Sequence, residues 1–229
     1  MKTKATPIMK TNIKLLRILY PIWMIIGIAS IVIIPESLAK SEPIRYLSEH
    51  LLIFRLGILG RLITQLLFII IPFLLFRLFE KVNQPQALLM IAFAYLSIPL
   101  TIYNETHQLI LPEVWNQPAI FYQHLLLYQQ GQTLTELFWG LWLFPLGRLT
   151  QLSEQFPNWI TGALWLGGCG YLIGGISNLL FPGLPYIYSI SEVLSMGELI
   201  FILWIMIKGL KPITPSFEAD FSNDLKTPA

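Results

Sequence analysis

Charge is what this chain has least of. Lys, Arg, Asp and Glu make up 12% of its 229 residues, against roughly 25% in soluble globular domains. So few charges cannot coat the water-facing surface of a domain this size, which excludes an ordinary soluble fold. The formal net charge of +2 is too small to draw nucleic acid. A single cysteine, Cys169, excludes an intrachain disulfide, so cysteine pairing says nothing of compartment. The sequence contains no G-x-S-x-G nucleophile turn and no long internal repeat of the kind inverted-repeat transporters carry.

What the chain does have is apolar length. Hydrophobic residues make up 55% of it, and its mean hydropathy is +0.63. A bilayer core of about 30 Å takes roughly 20 mostly apolar residues as a helix. Residues 15–34, 57–76, 87–103, 132–149, 159–181 and 191–207 meet that need. The expected fold class is therefore all-α, a polytopic membrane bundle with six transmembrane helices. Pro35, Pro85, Pro112, Pro157, Pro182 and Pro212 punctuate the stretches. Pro21, Pro72, Pro99 and Pro145 fall inside them, where neighbouring helices re-satisfy the freed backbone.

Lys and Arg set the expected orientation. The N-terminus carries Lys2, Lys4, Lys10, Lys14 and Arg17. Arg77 and Lys81 follow the second, Arg148 ends the fourth, and Lys208, Lys211 and Lys226 come at the end. These alternate on one side, the cytoplasm, while on the opposite side the first connection holds Lys40 and Arg45, and residues 106–131 and 183–190 hold no Lys or Arg. Three regions follow: a cytoplasmic segment 1–14, a membrane domain 15–210, and a polar, disordered cytoplasmic tail 211–229. Ser37-Leu38-Ala39 resembles a signal cleavage site, but the apolar run is span-length and an uncleaved helix is expected. The segment 119–130, AIFYQHLLLYQQ, fits either an extra amphipathic helix on the outer surface or an outward extension of the fourth stretch, with Gly131 as a break.

The block FWGLWLFPLGRL (138–149), a polar turn with Pro157, and ITGALWLGGCGYLIGG (160–175) resemble the bacterial integral membrane family catalogued as domain of unknown function 4386. LLIFRLGILGRLITQLLFIIIPFLLFRLF (51–79) is similar to that family's second helix. The resemblance implies a multi-pass protein of the bacterial cytoplasmic membrane and brings no activity with it.

Polar side chains are costly in lipid and are candidate functional groups by default. With the orientation above they gather in the outer half: Arg61 and Gln65, Glu136, Asn178, Ser195 and Glu198. The functional reading is a polar pocket facing outward, with Arg61 neutralised by Glu136 or Glu198 and a small ligand or lipid bound there. The structural alternative, ranked ahead of it, has Arg61 reaching the outer headgroups and the carboxylates held by nearby hydroxyls and amides. Glu105, His107, Glu113 and His124 are ligand types for a metal, but their spacing matches no known site, so no metal and no cofactor are expected. His50, His107 and His124 all fall in or beside outer segments, which leaves no histidine inside a span to activate a nucleophile. Cys169 is expected as a small buried thiol. Gly167, Gly170 and Gly174 form a smooth ridge suited to close helix packing. The expectation is a non-enzymatic membrane protein whose one certain partner is the lipid bilayer. A small-solute or lipid carrier and an intramembrane enzyme rank behind it.

Overall fold

The computed structural model describes residues 7–38, 42–181 and 185–210. The described residues are almost wholly helical and contain no strand. In chain order the helices are α1 (Pro7–Leu38), α2 (Pro43–Glu49), α3 (Leu51–Phe79), α4 (Gln84–Ile110), α5 (Pro118–Leu152), α6 (Asn158–Leu180), α7 (Pro185–Ser195) and α8 (Gly197–Lys208), with a short 3-10 turn at Leu111–Glu113. Local chemistry sets several ends. The Asn83 side chain accepts a hydrogen bond from the Gln86 amide at 3.0 Å, capping α4. Pro118 opens α5 where no amide donor is needed. Arg77 and Lys208 lie in the last turns of α3 and α8, where the helix dipole favours a cation.

Neighbours in the chain are neighbours in space: α1 packs on α3, α3 on α4, α4 on α5, α5 on α6, and α6 on α7 and α8. Contacts of α8 with α1 close the ring. At its base, Arg17 donates to the Met206 carbonyl at 3.2 Å, so the start of α1 and the end of α8 share one end of the bundle. That end is an apolar core in which Tyr20, Phe68, Ile71, Leu75, Met90, Trp142, Leu146 and Phe201 are buried together. At the other end a smaller apolar cluster joins Leu47, Phe54, Ile58, Leu111 and Phe121. Between the two lies a buried polar layer, which includes Arg61, Thr64, Gln65, Thr101, Asn104, Glu105, Gln108, Thr135 and Glu136. The outside is studded with Ile25, Leu52, Leu66, Val193 and Ile207, a continuous apolar exterior that water would not tolerate.

Five segments are long and apolar enough to cross a membrane: Met9–Ser30, Leu51–Phe79, Gln84–Glu113, Asn158–Leu180 and Tyr186–Lys208. The fourth expected stretch lies in α5, which is not one of them. Gln132, Glu136, Arg148 and the weakly apolar Trp139, Trp142 and Pro145 dilute its hydropathy. The segment 119–130 is no separate surface helix, because α5 runs unbroken from Pro118 to Leu152. Gly131 serves packing there: a Cβ on it would overlap the Asn104 amide, whose Nδ2 donates to the Tyr128 carbonyl at 3.0 Å. The additional short helix is α2 instead, packed through Leu47 into the smaller apolar cluster.

Three further expectations change. The stretch 191–207 is two helices, broken at Met196. The first helix begins at Pro7, eight residues earlier than its apolar run. Cys169 is exposed on the outside of the bundle and not buried; with glycines on both sides of it facing helices, the intervening position must point outward. Residues 1–6, Ala39 and the tail 211–229 lie outside the described residues.

Candidate functional site

The three buried carboxylates, Glu105, Glu136 and Glu198, are held separately. Arg61 does not pair with Glu136 or Glu198. Its Nε donates to Glu105 Oε1 at 2.6 Å, between side chains 9% and 0% exposed. Its Nη2 donates to Gln132 Oε1 at 3.3 Å, and the guanidinium lies 5.2 Å from the Tyr128 ring centroid, a cation–π distance. Of the structural alternative, the part about the carboxylates holds, since hydroxyls and an amide meet Glu198 and Glu136, but Arg61 turns into the bundle and not towards headgroups. The reason is the tight α3–α4 connection. Arg61 and Glu105 lie 21 and 23 residues from Val82 in its middle, so folding the hairpin brings them opposite each other. Counting outward from that turn would have found the pair.

Glu198 accepts a hydrogen bond from the Tyr20 hydroxyl at 2.6 Å, with both residues buried between α8 and α1. Tyr20 was not anticipated; ring closure by the first and last helices is a tertiary fact. Ser195 donates back to the Glu192 carbonyl at 2.8 Å. Gln65 is buried with its Oε1 unpartnered. Neither shares a hydrogen bond with Arg61 among the described residues.

Glu136 has a different setting. With Tyr128, Gln129, Gln130, Gln132, Thr133, Asn178 and Tyr188 it lines an open cavity of about 350 Å³ between α5, α6 and α7. The Tyr188 hydroxyl donates to Glu136 Oε1 at a long 3.4 Å. One turn earlier on α5, the Gln132 amide approaches the same carboxylate. Gln132 thus stands between the Arg61–Glu105 pair and the pocket. Of the six polar pocket candidates, the structure brings Glu136 and Asn178 to one cavity, with Arg61 adjoining it through Gln132. Ser195 and Glu198 do not line it. Residues missed by sequence reasoning, chiefly Tyr128, Gln132 and Tyr188, come from helix faces whose partners only packing defines.

Two of the histidines meet: His107 Nδ1 and His124 Nδ1 are 3.0 Å apart. Glu105 is committed to Arg61, and Glu113 to Arg55 at 3.2 Å. Among the described residues no group of three or more metal-ligating side chains gathers. Of the α6 glycines, Gly167, Gly170 and Gly174 face α7 and α8. A Cβ on Gly167 would stand 3.4 Å from Gly197 Cα, one on Gly170 would overlap the Leu194–Ser195 backbone, and one on Gly174 would lie 2.7 Å from Ser191 Oγ. The ridge is where the broken sixth stretch docks.

Long apolar helices, a lipid-like exterior and a buried polar layer define a multi-pass α-helical membrane protein. The chain belongs to the family described as Domain of unknown function (DUF4386), whose profile matches residues 18–209. An uncharacterized protein of Archaeoglobus fulgidus is 35% identical over 75 residues, covering 33% of this chain and 44% of that protein. The chain thus spans less than half the length of the curated relative it matches. No solved structure matches.

Proposed function

We propose that the chain is a six-span protein of the bacterial cytoplasmic membrane, with both termini cytoplasmic, that binds a small polar ligand or a lipid headgroup in the Glu136 pocket from the outer side. In this reading residues 15–210 form the membrane domain, and 1–14 and 211–229 flank it in the cytoplasm. Six spans follow from treating α5 as a crossing helix. It packs between α4 and α6, both apolar enough to span, so it cannot leave the bilayer they occupy. Its 35 residues extend about 50 Å, well beyond a core of about 30 Å. With Arg148 at the cytoplasmic headgroups, about 20 residues of rise place the outer boundary near Tyr128. The pocket then opens in the outer leaflet, just below the headgroups.

The observation that carries this reading is a buried carboxylate lining an open polar cavity, since such a group in lipid is costly unless it is used. A carrier is disfavoured because the opposite end of the bundle is an apolar core around Trp142, Leu143, Leu146 and Phe201, which offers a polar solute no path. An enzyme is disfavoured because, among the described residues, neither histidine nor cysteine lines the pocket.

Thiol accessibility tests the proposal. On a Cys169→Ala background, Asn178→Cys is expected to react with a membrane-impermeant maleimide added to the outside of intact spheroplasts. Labelling only after the cells are opened, or not at all, would overturn the outward pocket.

A further inference from the structure

We infer that the ligand of the Glu136 pocket carries an ammonium group, the carboxylate of Glu136 serving as its counter-charge. This rests on the pocket reading above and names the chemistry that reading leaves open.

Charge balance comes first. Among the described residues no Lys, Arg or His lines the cavity. Arg61, the guanidinium that adjoins it, already has Glu105 at 2.6 Å. Among the described residues Glu136 makes no ion pair; its carboxylate meets neutral donors, the Tyr188 hydroxyl at a long 3.4 Å and the Gln132 amide. The pocket is therefore anionic, and Glu192 on α7 adds a second carboxylate within electrostatic reach of Glu136. A carboxylate withdrawn from water is costly to keep charged without a cation beside it. An entering ammonium supplies that cation; an anion would meet repulsion from both carboxylates.

The remaining lining fits the same chemistry. Tyr128 and Tyr188 present aromatic rings, whose faces attract cations. The amides of Gln129, Gln130 and Asn178 bring carbonyl oxygens, acceptors for N–H donors, to the lining. A neutral polyol would use the amides but leave Glu136 uncompensated. A volume of about 350 Å³ has room for a small amine with its waters, or for the head of an aminolipid entering sideways from the outer leaflet.

The test uses the full chain purified in a non-ionic polyoxyethylene detergent. Ethanolamine and tetramethylammonium, added as chlorides, are titrated by calorimetry against sodium chloride, glycerol and inorganic phosphate. The expected result is saturable binding of the ammonium probes alone. Glu136→Gln should weaken it at least about tenfold, as loss of a counter-charge predicts. Asn178→Lys, which tethers a competing cation in the cavity, should abolish it even if Glu136→Gln proves unstable. Two arms separate the sources. Saturation by free ethanolamine marks a solute, while binding seen only with phosphatidylethanolamine nanodiscs and absent with phosphatidylglycerol marks a lipid headgroup. Saturable glycerol or phosphate binding without ammonium binding would overturn the inference and leave the ligand pocket standing. Silence from every probe would overturn the inference, and if Asn178→Cys is also shielded, the pocket reading falls with it.

Discussion

Among the side chains, the most consequential is Arg61, because a guanidinium stays charged in a protein and burial must therefore be answered. Glu105 answers it, and removing either partner strands a charge inside the bundle. Arg61→Leu or Glu105→Gln should each destabilise by about 3–5 kcal/mol. The double change Arg61→Leu with Glu105→Leu should recover a good part, because two apolar side chains leave no orphan charge. Chemical denaturation in detergent reads all three, and losses that simply add would show that the two residues are not a pair. The exposed Arg55–Glu113 bridge, at 56% and 70% exposure, is the internal contrast. Arg55→Gln should cost no more than about 1 kcal/mol. Tyr20→Phe removes the 2.6 Å donor to Glu198 and should cost about 1–3 kcal/mol. A melting temperature equal to the parent's would show that Glu198 finds another donor.

The helices α6, α7 and α8 are coupled by missing side chains. A Cβ on Gly197 would overlap the Ala163 carbonyl, and one on Gly170 would enter the α7 backbone. Neither obstacle is a flexible side chain that can swing away. Gly197→Ala should therefore destabilise by about 1–3 kcal/mol, and Gly170→Leu by more. Gly162 lies on the same α6 helix with nothing within 4 Å of its would-be Cβ. Gly162→Ala should instead stabilise by about 0.5–1 kcal/mol, because alanine loses less entropy in a helix interior. Thermal melts of the three variants side by side check the sign pattern, and uniform behaviour would mean that the glycines are not interface residues. The break at Met196 belongs with this packing: α8 restarts at Gly197, where close approach to α6 leaves no room for a side chain.

For the molecule as a whole, the closing contact of α8 on α1, with Arg17 on the Met206 carbonyl at 3.2 Å, places both ends of the ring together. Under the proposed orientation that end is cytoplasmic, where the Lys and Arg excess lies. A C-terminal green fluorescent fusion should fluoresce and a C-terminal alkaline phosphatase fusion should be inactive. A phosphatase fused in the α4–α5 connection, after Trp115, should be active. Activity of the C-terminal phosphatase would invert or break the six-span arrangement.

The sequence by itself determined the solvent, the helix-forming stretches and the level of the polar groups along them. Those features depend on composition and on distance along one chain, so reading 12% charge and counting about 20 residues per span sufficed. The family, too, was legible in FWGLWLFPLGRL and the glycine-rich stretch after it. Tertiary structure alone decided which polar group meets which. Glu105 stood in the sequence as a loop residue beside two histidines, yet α4 carries it into the core opposite Arg61. Tyr20 looked like one more aromatic in an apolar run until α8 closed on α1 and brought Glu198 to its hydroxyl. Gly131 suggested a helix break and instead admits Asn104. Cys169 suggested burial and instead faces outward. In each case hydropathy gives a residue's depth in the membrane but not its rotation about the helix axis or the neighbour it faces. Those are set by the packing of ridges and small residues between helices far apart in the chain.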